Sequence, residues 1–133
     1  MNVLFVCVGN QGRSVMAQRL FERAAGGAHA ARSAGSAPGD APHPQVVEAL
    51  REVGIDASDH VPRSLDDADL EWADVAVSVC ADEVCPVTPG VERIRWEIAD
   101  PIAMPIEQVR EVRAEIDRRV RELVAYLGTG SRL

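Results

Sequence analysis

"VLFVCVGNQGRS", residues 3–14, decides the fold and most of the chemistry of this chain. Residues 2–6 are short, apolar and β-rich, as a strand covered on both faces must be. The run ends in a thiol, Cys7. A loop holding Gly9, Asn10 and Gly12 follows, and Arg13 opens a helix with Met16, Leu20, Phe21 and Ala24 on one stripe and Gly26-Gly27 at its end. Strand, glycine loop, helix is the first unit of an α/β chain.

The rest repeats that alternation. A short strand is expected near 30–34, then the loop "AGSAPGDAPHP" and a helix in "PQVVEALREVG", with Pro44 in its first turn and Gly54 at its cap. "SLDDADLEWA" reads as a short helix or turn before a third strand, 74–79, and a fourth strand lies within "ERIRWEI". From Pro105 to Leu127, Ile106, Val109, Val112, Ile116, Val120, Leu123 and Leu127 recur at helical spacing, and Gly128 is the expected stop. Its Arg and Glu residues, Glu115 and Arg119 among them, read as a solvated face. The expected architecture is one domain over 1–133, a three-layer α/β fold with a parallel sheet between helices.

In such a sheet, ligands bind beyond the carboxyl ends of the strands, where Cys7 lies. The amides of the loop Val8, Gly9, Asn10, Gln11, Gly12 can turn inward as a nest, and the helix N-terminus adds about half a positive charge. Arg13 offers a planar fork for two oxygens. The site would hold a tetrahedral oxyanion. The same field favours Cys7 as thiolate, with Ser14 positioned to donate a hydroxyl hydrogen bond to the sulfur.

Length and composition are ordinary for a globular domain: 133 residues, 47% apolar and 26% charged. Net charge is −7 and every basic residue is Arg, which argues against nucleic acid or an anionic membrane as partner. A small anion remains compatible, because surface charge is screened beyond ~8 Å at physiological salt. No apolar run reaches the ~18 residues of a membrane span and the start lacks a signal-peptide pattern, so the expected location is cytoplasmic. Three cysteines, Cys7, Cys80 and Cys85, make a poor structural disulfide set, and Cys80 and Cys85 lack a second ligand pair for zinc. No metal and no organic cofactor are expected. His29, His43 and His60 stand singly in loop-like stretches and read as exposed residues without a role.

"VLFVCVGNQGRSVMAQRLF" resembles the signature loop of the low-molecular-weight protein tyrosine phosphatase superfamily, whose other main branch is the thioredoxin-coupled arsenate reductases. "SAGSAP", "VVEALREVGIDAS", "ADVAVSVC" and "WEIADP" follow in the order of that superfamily. The resemblance implies a four-stranded parallel sheet, with Cys7 as nucleophile, Arg13 as anion ligand and Asp100 of the Asp100-Pro101 pair as general acid.

The reductase branch fits the remaining cysteines. Cys80 ends the strand "DVAVSV" at the same sheet rim as Cys7, and Cys85 follows five residues later. The expected relay has Cys7 attack arsenate, Cys80 attack the Cys7 sulfur to release arsenite, and Cys85 take the disulfide to an external thiol reductant. Thioredoxin is the expected partner, with glutaredoxin or a low-molecular-weight thiol as alternatives. The sequence after Asp100, "DPIAMP", has no aromatic wall for a phosphotyrosine ring. Two alternatives stay open: a phosphatase for phosphotyrosine or phosphoarginine, and a non-catalytic oxyanion-binding module. Gln18 stands where reductases of the superfamily often carry Glu, and Gly12 where both branches often carry Cys.

Overall fold

The computed structural model describes residues 1–80 and 92–129. Four strands, β1 (Asn2–Cys7), β2 (Ala30–Gly35), β3 (Val75–Cys80) and β4 (Glu92–Glu97), form one sheet in the order β2-β1-β3-β4. Every neighbouring pair is parallel. The helices are α1 (Arg13–Ala25), α2 (Pro44–Arg51), α3 (Asp67–Trp72) and α4 (Ile106–Thr129). The expected four-stranded parallel sheet between helical layers is thus present.

β1 explains why its sequence is apolar without alternation. Val3 and Phe5 pack with Val15, Met16, Leu20 and Phe21 of α1 and with Val112, Ile116 and Val120 of α4. Leu4 and Val6 face the other way, onto Ala34, Ala73 and the partly buried Leu65, Leu70 and Trp72. A strand at the centre of the sheet therefore feeds two cores, and each fully buried Leu, Val or Phe contributes about 1.5–3 kcal/mol.

Helix ends follow local chemistry. Gly26 takes the left-handed conformation, φ 56°, and its N–H bonds Glu22 O at 3.2 Å, ending α1 as its sequence anticipates. Asp66 and Asp69 form a reciprocal capping box at α3. α2 is shorter than expected, with its cap at Glu52 and the left-handed glycine, Gly54, two residues beyond. α4 continues through Gly128 to Thr129, since a lone glycine costs only about 1 kcal/mol against a long packed face. Its arginines do more than meet solvent: Arg110 and Arg113 both bond Glu52 at the end of α2, at 2.6 and 2.9 Å, and hold that carboxyl down to a pKa of about 2.

Candidate active site

The site forms where β1 stops. Cys7 is almost wholly buried, and the six carbonyls from Cys7 to Gly12 are all tied outward. Cys7, Val8 and Gly9 oxygens accept from the amides of Ser36, Ala37 and Gly39 at 3.2, 2.9 and 3.0 Å. Asn10 O bonds His60 Nε2 at 3.1 Å, Gln11 O accepts from His43 N at 2.9 Å, and Gly12 O from Met16 N at 2.9 Å. With every carbonyl pulled away, the loop's N–H groups are left to the inside. The nest expected from the glycine spacing arises because the loop 36–43 wraps the outside of the cradle.

The left-handed residue in this loop is Asn10, φ 51°, and neither glycine adopts such a φ; Gly12 has φ −141°. Gly12 is needed for space instead. A Cβ there would stand 3.1 Å from Pro101 Cγ and 3.4 Å from His43 Cδ2. Pro101 and His43 flank Gly12, so a cysteine at position 12 would push against them.

Asn10, fully buried, organises the thiol. Its Nδ2 donates to Ser14 Oγ at 2.8 Å, which leaves the Ser14 hydroxyl proton for Cys7 Sγ, 2.9 Å away. Asn10 N adds a hydrogen bond to the same sulfur at 3.3 Å. On its other side, Asn10 Oδ1 accepts from Arg63 N at 3.1 Å and from His60 Nε2 at 3.2 Å. Because both His60 contacts are oxygen acceptors, Nε2 carries the proton. Half-buried, His60 has its pKa lowered chiefly by desolvation, partly offset by its bond to the Asn10 carbonyl.

Arg13 lies in the first turn of α1, 3% exposed; its Nη1 bonds Ile98 O at 3.1 Å and its Nη2 stands 3.5 Å from Asp100 Oδ2. Asp100 also caps the turn Pro101–Ala103, accepting from Ile102 N at 3.1 Å. Capping and facing the cradle are compatible, since each uses a different carboxylate oxygen. Cys7, Val8, Gly9, Gln11, Gly12, Arg13 and Asp100 line one cavity of about 270 Å³, with Ala37, His43 and Ile102 completing its walls. Gln11 anchors its own wall, its Nε2 bonding Ala41 O at 2.8 Å.

Of the residues expected from the sequence, Cys7, Asp100 and the loop 8–14 thus come together. Cys7 is the free cysteine among the described residues, while Cys80 is disulfide-bonded and fully buried. β3 is the neighbour of β1, so Cys80 reaches the same rim, but on the opposite face. Val6 pairs with Ser78, and Val75, Val77 and Val79 share the core of Val3 and Phe5. The pleat therefore turns Cys80 away from the side on which Cys7 meets α1. Cys85 lies outside the described residues. No group of three or more metal-ligating side chains occurs among the described residues, and no described helix is long and apolar enough to cross a membrane.

Sequence reasoning missed His43 and His60. Their isolation in the chain hid them, because what recruits each is an oxygen of the 7–12 loop: Gln11 O for the His43 amide and Asn10 O for the His60 ring.

Residues 2–132 match the family described as low molecular weight phosphotyrosine protein phosphatase. An arsenate reductase of Brevibacillus brevis is 37% identical over 123 residues, covering 90% of this chain and 91% of that protein. Among solved structures, an arsenate reductase from Archaeoglobus fulgidus superposes with a TM-score of 0.84 at 37% identity, over 92% of this chain and 98% of that one. A thioredoxin-dependent arsenate reductase of Corynebacterium glutamicum gives 0.81 at 36% identity, over 98% of this chain and 63% of that one.

Proposed function

The chain belongs to the low molecular weight phosphotyrosine protein phosphatase family, and we propose that within it this protein is an arsenate reductase that works by a three-cysteine relay. The Cys7 thiolate attacks the arsenic of arsenate, displacing one oxygen that Asp100 protonates so that it leaves as water. Loop amides and Arg13 hold the remaining oxygens. The Cys80 thiolate then attacks Cys7 Sγ. A sulfur–sulfur bond forms, the sulfur–arsenic electron pair stays on arsenic, and arsenic(V) leaves as arsenic(III) in arsenite. Cys85 next attacks Cys80 and frees Cys7, and an external dithiol reduces the Cys80–Cys85 bond. Thioredoxin is the dithiol of choice, as in the Corynebacterium glutamicum relative. No metal or organic cofactor enters any step.

The observation that carries this reading over plain phosphate hydrolysis is the pairing state of the sulfurs. Cys7 is free in the cavity while Cys80 is placed in a disulfide that does not include it, the pairing a relay that moves its disulfide away from the cradle requires. A phosphatase needs Cys7 alone.

One observation favours a second reading. At ~30 Å³ per water, the cavity of about 270 Å³ has room for roughly nine waters, more than a five-atom anion fills. The excess fits either an incoming thiol or the body of a phosphorylated protein side chain. Arsenite production with reduced thioredoxin separates them. The relay expects two thiols consumed per arsenate and a Cys80→Ser protein arrested after one arsenate. Full turnover by Cys80→Ser and Cys85→Ser proteins, with rapid aryl phosphate hydrolysis dependent on Cys7 only, overturns it in favour of the phosphatase.

A further inference from the structure

His43 stands at the outer wall of the cradle with its backbone fixed at both ends. Its N–H donates to Gln11 O at 2.9 Å, and its own carbonyl accepts from Val46 N and Val47 N at 3.0 and 3.1 Å in the first turn of α2. Pro44 follows it, and its side chain does not cap the helix. The ring lines the same cavity as Cys7, Arg13 and Asp100, and it has no hydrogen bond to any described residue. Its neighbours are committed. Gln11 Nε2 serves Ala41 O and Arg13 Nη1 serves Ile98 O, while Ala37 and Ile102 offer only apolar surface.

A tetrahedral anion attacked by Cys7 presents three oxygens to the loop amides and Arg13. Its fourth points away from the sulfur, into the part of the cavity left to Asp100, Ile102 and His43 among the lining residues. The Asp100 proton is one donor to that oxygen, whose remaining lone pairs can accept from a second. The His43 ring is the side chain in this lining with an N–H not used elsewhere among the described residues.

We propose that His43 is a substrate-binding residue whose imidazole N–H donates to the outer oxygen of the bound oxyanion. This rests on the oxyanion reading of the cradle given above and adds a contact to it. Fixing that oxygen beside Asp100 orders the leaving group without any change in the covalent steps. The Pro101 ring, packed with His43 around Gly12, keeps acid and donor on one wall.

Arsenate binding by calorimetry to the Cys7→Ala protein, which has no nucleophile to form an adduct, tests it. Adding His43→Ala is expected to weaken arsenate about tenfold or more, the range of one hydrogen bond to a charged acceptor. His43→Gln, which keeps an N–H donor, is expected to recover most of that loss. The thermal midpoint without anion is expected to match across the three proteins, while the rise on adding arsenate shrinks for His43→Ala alone. Unchanged arsenate affinity in His43→Ala overturns the inference and leaves the cradle reading standing. Equal losses in both variants with a lowered anion-free midpoint overturn it too, in favour of a packing role. No arsenate binding by the Cys7→Ala protein itself overturns the cradle reading and this inference together.

Discussion

Replacing Asn10 with alanine tests how much of the site one buried amide holds. The side chain makes three hydrogen bonds: to Ser14 Oγ at 2.8 Å, from Arg63 N at 3.1 Å and from His60 Nε2 at 3.2 Å. His60 keeps the Asn10 carbonyl, 3.1 Å away, so two partners are left short. At about 1–2 kcal/mol for each buried group left unsatisfied, the loss is roughly 2–4 kcal/mol. A non-glycine, non-Asn residue at φ 51° adds about 1–2 kcal/mol. A total of about 3–6 kcal/mol is a large share of the ~5–15 kcal/mol that holds a domain together, and lowers the midpoint by roughly 10–20 °C at this chain length. Asn10→Asp separates chemistry from folding. It tolerates the left-handed backbone and keeps an acceptor for Arg63, but its second oxygen draws the Ser14 proton away from the sulfur. Scanning calorimetry gives the first effect. Iodoacetamide labelling of oxidised protein, in which Cys7 is the free cysteine among the described residues, gives the second, with an expected slowing of about tenfold for Asn10→Asp. An Asn10→Ala protein melting within about 2 °C of the parent, or an Asn10→Asp protein labelled at the parental rate, refutes this account of the site.

Asp100→Asn is expected to lower kcat for arsenite formation by roughly 10²–10⁴ while arsenate still binds, since the amide keeps the cap on Ile102 N but has no proton to give; a loss under threefold in single-turnover rates contradicts the acid role. Glu52, held at a pKa of about 2 by Arg110 and Arg113, is charged in the fold at a pH where the unfolded chain has begun to take up a proton. Its stabilisation is therefore present above about pH 4.5 and is lost as pH falls toward 2. The gap in unfolding midpoint between the parent and Glu52→Gln should close over that window, and a gap independent of pH argues against it. Arsenate added to fully reduced protein is expected to speed hydrogen exchange at the Ile98 amide, which bonds Cys80 O at 3.1 Å; unchanged protection argues against movement of that strand end.

How far the sequence reaches is clear from particular residues. The cradle was legible because Cys7, Asn10, Arg13 and Ser14 lie within one turn of chain, where spacing alone limits the geometry. The sheet was legible because β1 and β3 are too apolar for anything but a covered strand, and α4 because its stripe repeats over six turns. His60 was not, because its partner is fifty residues away in Asn10, and no periodicity marks a contact of that kind. Arg110 and Arg113 read as solvated for the same reason: Glu52, which recruits them, belongs to another helix. Within the loop the left-handed bend falls at Asn10, and Gly12 makes room for Pro101 and His43, two neighbours that its spacing in the chain does not name.

The hardest feature to see was the pleat, and it constrains the relay most. Val6 pairs with Ser78, so Cys80 lies one residue past the neighbour of Cys7. A strand spacing of ~4.8 Å and a rise of ~3.3 Å put the two Cα atoms about 6 Å apart, inside the ~4.4–6.8 Å that a disulfide needs. Distance is not the obstacle; direction is. Cys80 faces the opposite side of the sheet, so its sulfur reaches Cys7 only if the end of β3 rotates out of the ladder. That rotation breaks the bond from Ile98 N to Cys80 O. Ile98 is also the residue whose carbonyl holds Arg13 Nη1. In the proposed relay, attack by Cys80 and the hold on Arg13 would therefore be joined through the two peptide groups that flank one residue, Ile98. On that proposal, the step that turns arsenate into arsenite would slacken the Ile98 carbonyl's hold on Arg13, and restoring the ladder at Ile98 would reseat it.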